Sequence, residues 1–355
     1  MSGPPRDGLQ VLPVRGIGDV TPGADLAAMI TAAAPWLADA DVLVVTSKIV
    51  SKAEGRLVDV PADGPERAAA REDVLASETA RPVARRGQTR IVQTHHGFVM
   101  ASAGVDASNV ERTRLVLLPK GPDASARALR QALRERHGLD VAVVVSDTMG
   151  RPWRNGLTDV ALGAAGVDAL RDHRGEVDPY GNELHLTQMA VVDELSAAGE
   201  LVKGKCDQVP VAVVRGYLTR VPPRDGDGAA ALVRAADQDL FSLGTAEARA
   251  AGLRAAAALP VEADGEPAEV DRAAVHRAVA LVAAGTATLF AVLPGAAAVT
   301  CAAPAGDATA TVRLGVDVQR LRAALAAEGL TSRPRPVVVG GDGRPAVTLR
   351  VVTRR

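Results

Sequence analysis

A carboxylate, a hydroxyl and two guanidinium groups lie close together in S-D-T-M-G-R-P-W-R-N-G, Ser146 to Gly156. Asp147 and Thr148 follow an unbroken apolar run, Val141 to Val145, the pattern of a strand buried on both faces. Oxygen donors where such a strand turns polar suit a hard cation, Mg²⁺ or Mn²⁺. Arg151 and Arg154, just beyond, carry the planar fork that grips phosphate or carboxylate at two points. A solvated turn has the same residue types. The density of glycine and arginine, with Trp153 among them, favours a site over a turn.

Other segments offer complementary chemistry. A second apolar run, Asp41 to Thr46, leads into S-K-I-V-S-K, where Ser47, Lys48, Ser51 and Lys52 crowd a strand end. Both an exposed loop and a phosphate or carboxylate site fit that pattern. The chain has 36 arginines but only five lysines, so each lysine carries more weight as a residue needing a compact ammonium head. Two of the others, Lys203 and Lys205, flank Gly204 after a predicted helix at Gln188 to Leu201 that carries Asp193 and Glu194. In G-V-D-A-S-N, Asp106 and Asn109 stand three apart after an apolar strand, one suited to a metal and the other to a base or sugar. The loop after the first strand, R-G-I-G-D-V, offers backbone N–H groups to a phosphate or simply turns a corner. No G-x-x-x-x-G-K-[ST] and no strand-borne G-x-G-x-x-G occurs, so a nucleotide would bind by another route. The adjacent His95 and His96 sit in a predicted hairpin turn and read as surface residues, and the lone His276 as structural.

These groups need elements to hold them. A chain of 355 residues with 47% hydrophobic content has room for two domains and a proper core. A net charge of −1 argues against bulk binding to nucleic acid or an anionic membrane. No apolar run is long enough to span a bilayer and no leader is visible, so the expectation is a cytoplasmic protein. Strands are expected at 41–46, 141–145 and 211–217, and a short one opens the segment 12–26 before its Gly/Pro-punctuated loop. Helices are expected from the Asp25 cap to Ala34, over 64–86 with Glu78 and Arg81 paired, over Ser125–His137 with Gly138 as its stop, and over Leu157–Leu170. Asp178 to Leu184 reads as a turn, and Ala229 to Asp237 as a short helix. After a linker at 259–267, a helix near Asp271–Ala284, a strand near Thr309–Gly315, a helix at Asp317–Gly329 and a final hairpin make a small α+β unit. The predicted domains are 1–244 and 245–355.

The segments L-P-V-R-G-I-G-D, V-V-T-S-K-I-V-S-K-A-E-G-R, G-V-D-A-S-N, S-D-T-M-G-R-P-W-R-N-G, D-P-Y-G-N-E-L and L-V-K-G-K…V-P-V-A-V-V-R-G-Y, in order from Leu12 to Tyr217, resemble the coenzyme F420:L-glutamate ligase family. The resemblance implies an α+β fold with mixed sheets, assembled as a homodimer. It implies a ligase that adds L-glutamate to the carboxylate of coenzyme F420-0 with GTP, through an acyl phosphate, and extends the product by γ-linkages. It also implies two divalent cations, Mg²⁺ or Mn²⁺, and K⁺. Carried over by motif, Asp106 and Asp147 would hold one metal and Thr148 the second. Ile17, Gly18, Asp19, Val20, Ser47, Lys52, Asn109 and the stretch with Lys203, Gly204 and Lys205 would contact GTP. A lysine there stands where some relatives carry an acidic or amide metal ligand. Asp147, Lys52, Arg151 and Arg154 are the candidate catalytic groups, the two arginines being assigned by residue type to the F420-0 phosphodiester or the incoming glutamate. Relatives often add an FMN-binding domain; the roughly 110 residues after L-F-S-L-G-T are shorter than a usual ~150-residue domain and lack its opening segment, so no flavin is expected. The competing readings are a metal-dependent phosphohydrolase or nucleotidyl transferase, and a non-catalytic module binding GTP or a deazaflavin.

Overall fold

Runs of valine with no polar side chain on either face belong in the middle of a sheet covered on both sides. That is where the structure, a computed structural model, puts them. It describes residues 8–108, 110–220, 224–260, 270–295 and 297–353. The predicted contact residue Asn109 and most of the predicted linker fall outside these. The elements that build the site are β1 (Gln10–Val14), α1 (Leu26–Ala33), β2 (Val42–Thr46), α2 (Ser47–Ala53), α3 (Pro122–His137), β3 (Ala142–Arg151), β4 (Arg154–Ala165), α4 (Val191–Lys203) and β5 (Val211–Arg215). The strands form one sheet in the order β1-β5-β2-β3-β4. Only β2 and β3 run parallel, pairing from Val42↔Ala142 to Thr46↔Ser146. The side chains of Val42–Val45 and Ala142–Ser146 are buried, packed under α1 and α3 on one face and under α4 on the other.

Helix ends follow local chemistry. The Asp25 carboxylate caps α1 by accepting from Ala28 N (3.1 Å). Gly138, with φ at 66°, closes α3 in the left-handed conformation that glycine adopts without strain. The His95–His96–Gly97 turn joins two paired strands, Thr89–Thr94 and Val99–Ala101.

The predicted helix at Leu157–Leu170 is instead the strand β4. Alanine favours a helix in isolation, but here alanine and glycine leave space for helices on both faces of the sheet. A Cβ on Gly163 would lie 2.2 Å from the Pro122 carbonyl group at the start of α3. The predicted helix over 64–86 stops at Ser77, and Thr79–Arg86 is a strand pairing with Thr89–Thr94. Glu78 is held by Arg56 Nη2 at 2.9 Å. The short helix at 229–237 reduces to a 3₁₀ turn, Ala229–Leu232.

Residues 246–355 make a second compact unit. Its elements are α5 (Arg272–Ala283), β6 (Leu289–Val292), β7 (Ala298–Ala302), α6 (Ala308–Ala327), β8 (Leu330–Pro334) and β9 (Pro345–Thr353). The strands are antiparallel in the order β6-β7-β9-β8. This is the connectivity of a β-α-β-β-α-β unit with its first strand moved to the end. Val338–Val339 pairs with β9, giving the expected hairpin. The predicted strand at Thr309–Gly315 is the first half of α6: Asp307 caps it (Ala310 N to Oδ1, 2.8 Å), and Ala310, Leu314, Leu321 and Leu325 form its buried stripe. Thr309, Thr311 and Val312 are β-branched and suit a strand, but the buried stripe decides.

Candidate functional site

The parallel register sets Thr46 beside Ser146, so Ser47 and Asp147 emerge together where the parallel pairing of β2 and β3 ends. In sheets with parallel strands such ends are where ligands bind. At this point β4 carries an extra residue, Leu162, opposite the step from Val145 to Ser146. Such a bulge re-aims the side chains that follow it. Ser146 and Thr148 then share one face and Asp147 takes the other, because neighbours on a strand alternate.

On the first face, Asp147 is half-buried. Burial pushes its carboxyl up to about 6, against hydrogen bonds from Thr148 N (2.7 Å) and the Ser47 hydroxyl; like-charge repulsion from Asp159 and Asp106 adds to the rise. Asp106 is brought here by a tight turn, Ser102–Ala103–Gly104, all with positive φ. Its backbone is pinned by two hydrogen bonds to Val116 (2.9 and 2.8 Å). Burial pushes the Asp106 carboxyl up as well, but Lys48 (2.6 Å) and the Ser108 N–H (2.8 Å) and hydroxyl outweigh it and hold it below the usual range. Lys48, read from the sequence only as part of a possible phosphate or carboxylate site, is thus the direct partner of a candidate metal ligand.

The second face centres on a residue that sequence reasoning missed. Asp159, directly across from Thr148, is buried and accepts from Ser146 Oγ (2.9 Å), Thr148 Oγ1 (2.9 Å) and Lys203 Nζ (2.8 Å). Burial raises its carboxyl, but Lys203 and the two hydroxyls prevail and lower it. Lys203 is only 2% exposed and also donates to Ser146 Oγ (2.9 Å), so its ammonium is spent internally. Lys205, exposed, donates to Thr148 Oγ1 (2.7 Å) and pairs with Glu200. Gly204 between them has φ at 64°, which lets the chain turn so that one lysine enters the core and the next reaches the surface.

The remaining predicted residues stand apart from these clusters. In the R-G-I-G-D-V loop, Ile17 and Val20 are buried and Gly18 and Asp19 exposed; Asp19 binds Lys52 Nζ (2.9 Å), whose hydrogen bond and charge hold its carboxyl below the usual range. Arg151 and Arg154 face each other at the tip of the β3–β4 hairpin, both exposed. At ~3.3 Å per residue, Arg151 is about 13 Å along the strand from Asp147. Trp153, between them, packs against Phe241 with centroids 4.8 Å apart.

The donor set fits one divalent cation. Asp106 and Asp147 face a single ammonium, Lys48, which leaves a negative charge uncompensated on a half-buried surface. Among the described residues no three acidic, histidine or cysteine side chains group to hold a metal by themselves. Two carboxylates that share an ion with substrate oxygens are the usual arrangement for Mg²⁺. The second cation expected at Thr148 does not fit. The hydroxyl there already donates to Asp159 and accepts from Lys205.

Carboxylates and ammonium groups gathered where a parallel strand pair ends have the chemistry of an enzyme that handles oxyanions through charge neutralisation. The profile of the F420-0:Gamma-glutamyl ligase family matches residues 16–216. The coenzyme F420:L-glutamate ligase of Methanothermobacter thermautotrophicus is 38% identical over 251 residues, covering 66% of this chain and 99% of that protein. The protein of the same name from Methanopyrus kandleri is 39% identical over 249 residues (66% and 97%). That of Haloarcula marismortui is 42% identical over 228 residues (59% and 88%). The chain belongs to the F420-0:gamma-glutamyl ligase family and is a ligase.

Proposed function

We propose that this chain joins L-glutamate to coenzyme F420-0 at the expense of GTP, through an acyl phosphate, and adds further glutamates by γ-linkage. The observation that carries this reading is the meeting of Asp106, Asp147, Ser47 and Lys48 where the parallel pairing of β2 and β3 ends. Phosphoryl transfer needs little else from a protein than positioning and charge neutralisation.

The chemistry runs in two steps. A carboxylate oxygen of the acceptor forms a bond to the γ-phosphorus as the bond to the β-phosphate oxygen breaks, and GDP leaves. The glutamate amine then bonds to the acyl carbon, loses a proton, and phosphate departs with the C–O electron pair. Asp106 and Asp147 would hold a Mg²⁺ or Mn²⁺ ion, which supplies charge neutralisation on the triphosphate when bound. Lys48 orients Asp106. Lys52, tethered to Asp19 beside the glycine loop, offers an ammonium to phosphate oxygens. We assign the R-G-I-G-D-V loop to the nucleotide, and K⁺, a homodimeric assembly and a cytoplasmic location belong to the same proposal.

The acyl phosphate has a direct test. F420-0 labelled with ¹⁸O in its acceptor carboxylate should deliver one ¹⁸O to the released phosphate. Unlabelled phosphate would refute that intermediate. In the same assay Asp147→Asn should lower turnover at least ~100-fold, the scale seen when a charge-stabilising group is lost.

A further inference from the structure

The two faces of the β3 strand end differ in charge balance. On the Asp147 face, two carboxylates (Asp106, Asp147) meet one ammonium (Lys48). On the Thr148 face, two carboxylates (Asp159, Glu200) meet two ammonium groups (Lys203, Lys205). Within these ion pairs the charges cancel.

The hydrogen bonds agree with the charges. The Thr148 hydroxyl sends its proton to Asp159 Oδ1 (2.9 Å), which leaves its lone pairs for a cation. Lys205 Nζ occupies that position at 2.7 Å. A divalent ion on this oxygen would sit ~2.1 Å from it, within the same small shell as the ammonium and repelled by it. Glu200, an acidic side chain that could have compensated an added charge, is committed to Lys205 and, at 3.4 Å, to Lys203. The pairing is not incidental to an exposed chain, because Lys203 is fixed in the core one glycine away and sets where Lys205 begins.

We propose that Lys205 is a built-in replacement for a second divalent cation, so that each chain takes up one metal ion and supplies the other positive charge itself. The inference rests on the nucleotide-and-metal reading of this site. It implies that the Thr148 face lends a fixed monovalent charge to the substrate oxyanions, where a metal-ligating residue in place of Lys205 would recruit an exchangeable ion.

The test counts bound ions rather than turnover. Mn²⁺ bound to the full-length protein is titrated in the presence of saturating GDP by electron paramagnetic resonance of the free ion. The wild-type protein should bind one Mn²⁺ per chain. Lys205→Gln, which removes the charge and offers an amide oxygen, should bind two, while Lys205→Arg, which keeps the charge, should stay at one. Lys205 is exposed, so each variant is expected to fold, and retained GDP binding confirms it. Two Mn²⁺ per wild-type chain overturns this inference and leaves the proposed function standing. One in Lys205→Gln also overturns it, since no displaced site would then exist. No Mn²⁺ in wild type with GDP bound overturns the metal reading beneath it, and the inference falls too.

Discussion

Lys203 and Asp159 are both 2% exposed, and each offsets the other's charge in the core. Taking a single charge out of water is expensive, and deleting one partner of a buried pair leaves the other uncompensated. Lys203→Met should therefore lower the stability of the 1–245 unit by about 3–5 kcal/mol, read from urea denaturation. A cost below ~1 kcal/mol would mean that Asp159 accepts a proton or water at little expense. The scarcity of lysine made Lys203 and Lys205 visible in the sequence, but not which of them is buried. That depends on the turn at Gly204 and on Asp159, which no local pattern marks. Asp106, Asp147 and Thr148 were visible as oxygen donors at strand ends. What could not be read was that alternation along β3 sends Asp147 and Thr148 to opposite faces.

At the level of elements, the β3–β4 hairpin holds the site together. It carries Asp147, Thr148 and Asp159 at fixed offsets, and the bulge at Leu162 sets which face each takes. The alanines of β4 point to a helix by composition, but local propensity is a weak prior that tertiary contacts override. The small residues are there because α3 and α4 press on both sides. Gly163→Ala would drive a methyl group into the Pro122 backbone, where no side-chain rotation relieves it. A loss of 1–3 kcal/mol or more is expected, the range for overpacking a core. A melting temperature equal to wild type would show that α3 can back away from the sheet. The valine runs, by contrast, were unambiguous, because they are apolar on both faces.

At the scale of the whole molecule, the family match ends at residue 216, and the 246–355 unit has a core of its own. Cys301 lies in that core, and burial pushes its thiol up to about 12, whereas Cys206 is exposed near the site. A thiol reagent should modify Cys206 at once and Cys301 only on unfolding. Because the native thiol stays protonated while the unfolded one ionises near 9, Cys301 should cost the unit stability as pH rises from about 9 towards 12. Immediate modification of both cysteines would show that the second core opens readily.

The central claim is the reaction itself, and mass spectrometry of F420-0 incubated with the protein, GTP, Mn²⁺ and L-glutamate tests it most directly. The account predicts a product heavier by one or more glutamyl units, one GDP for each unit added, and no product when glutamate is left out. GDP formed at the same rate without glutamate, with F420-0 unchanged, would contradict it and identify a hydrolase.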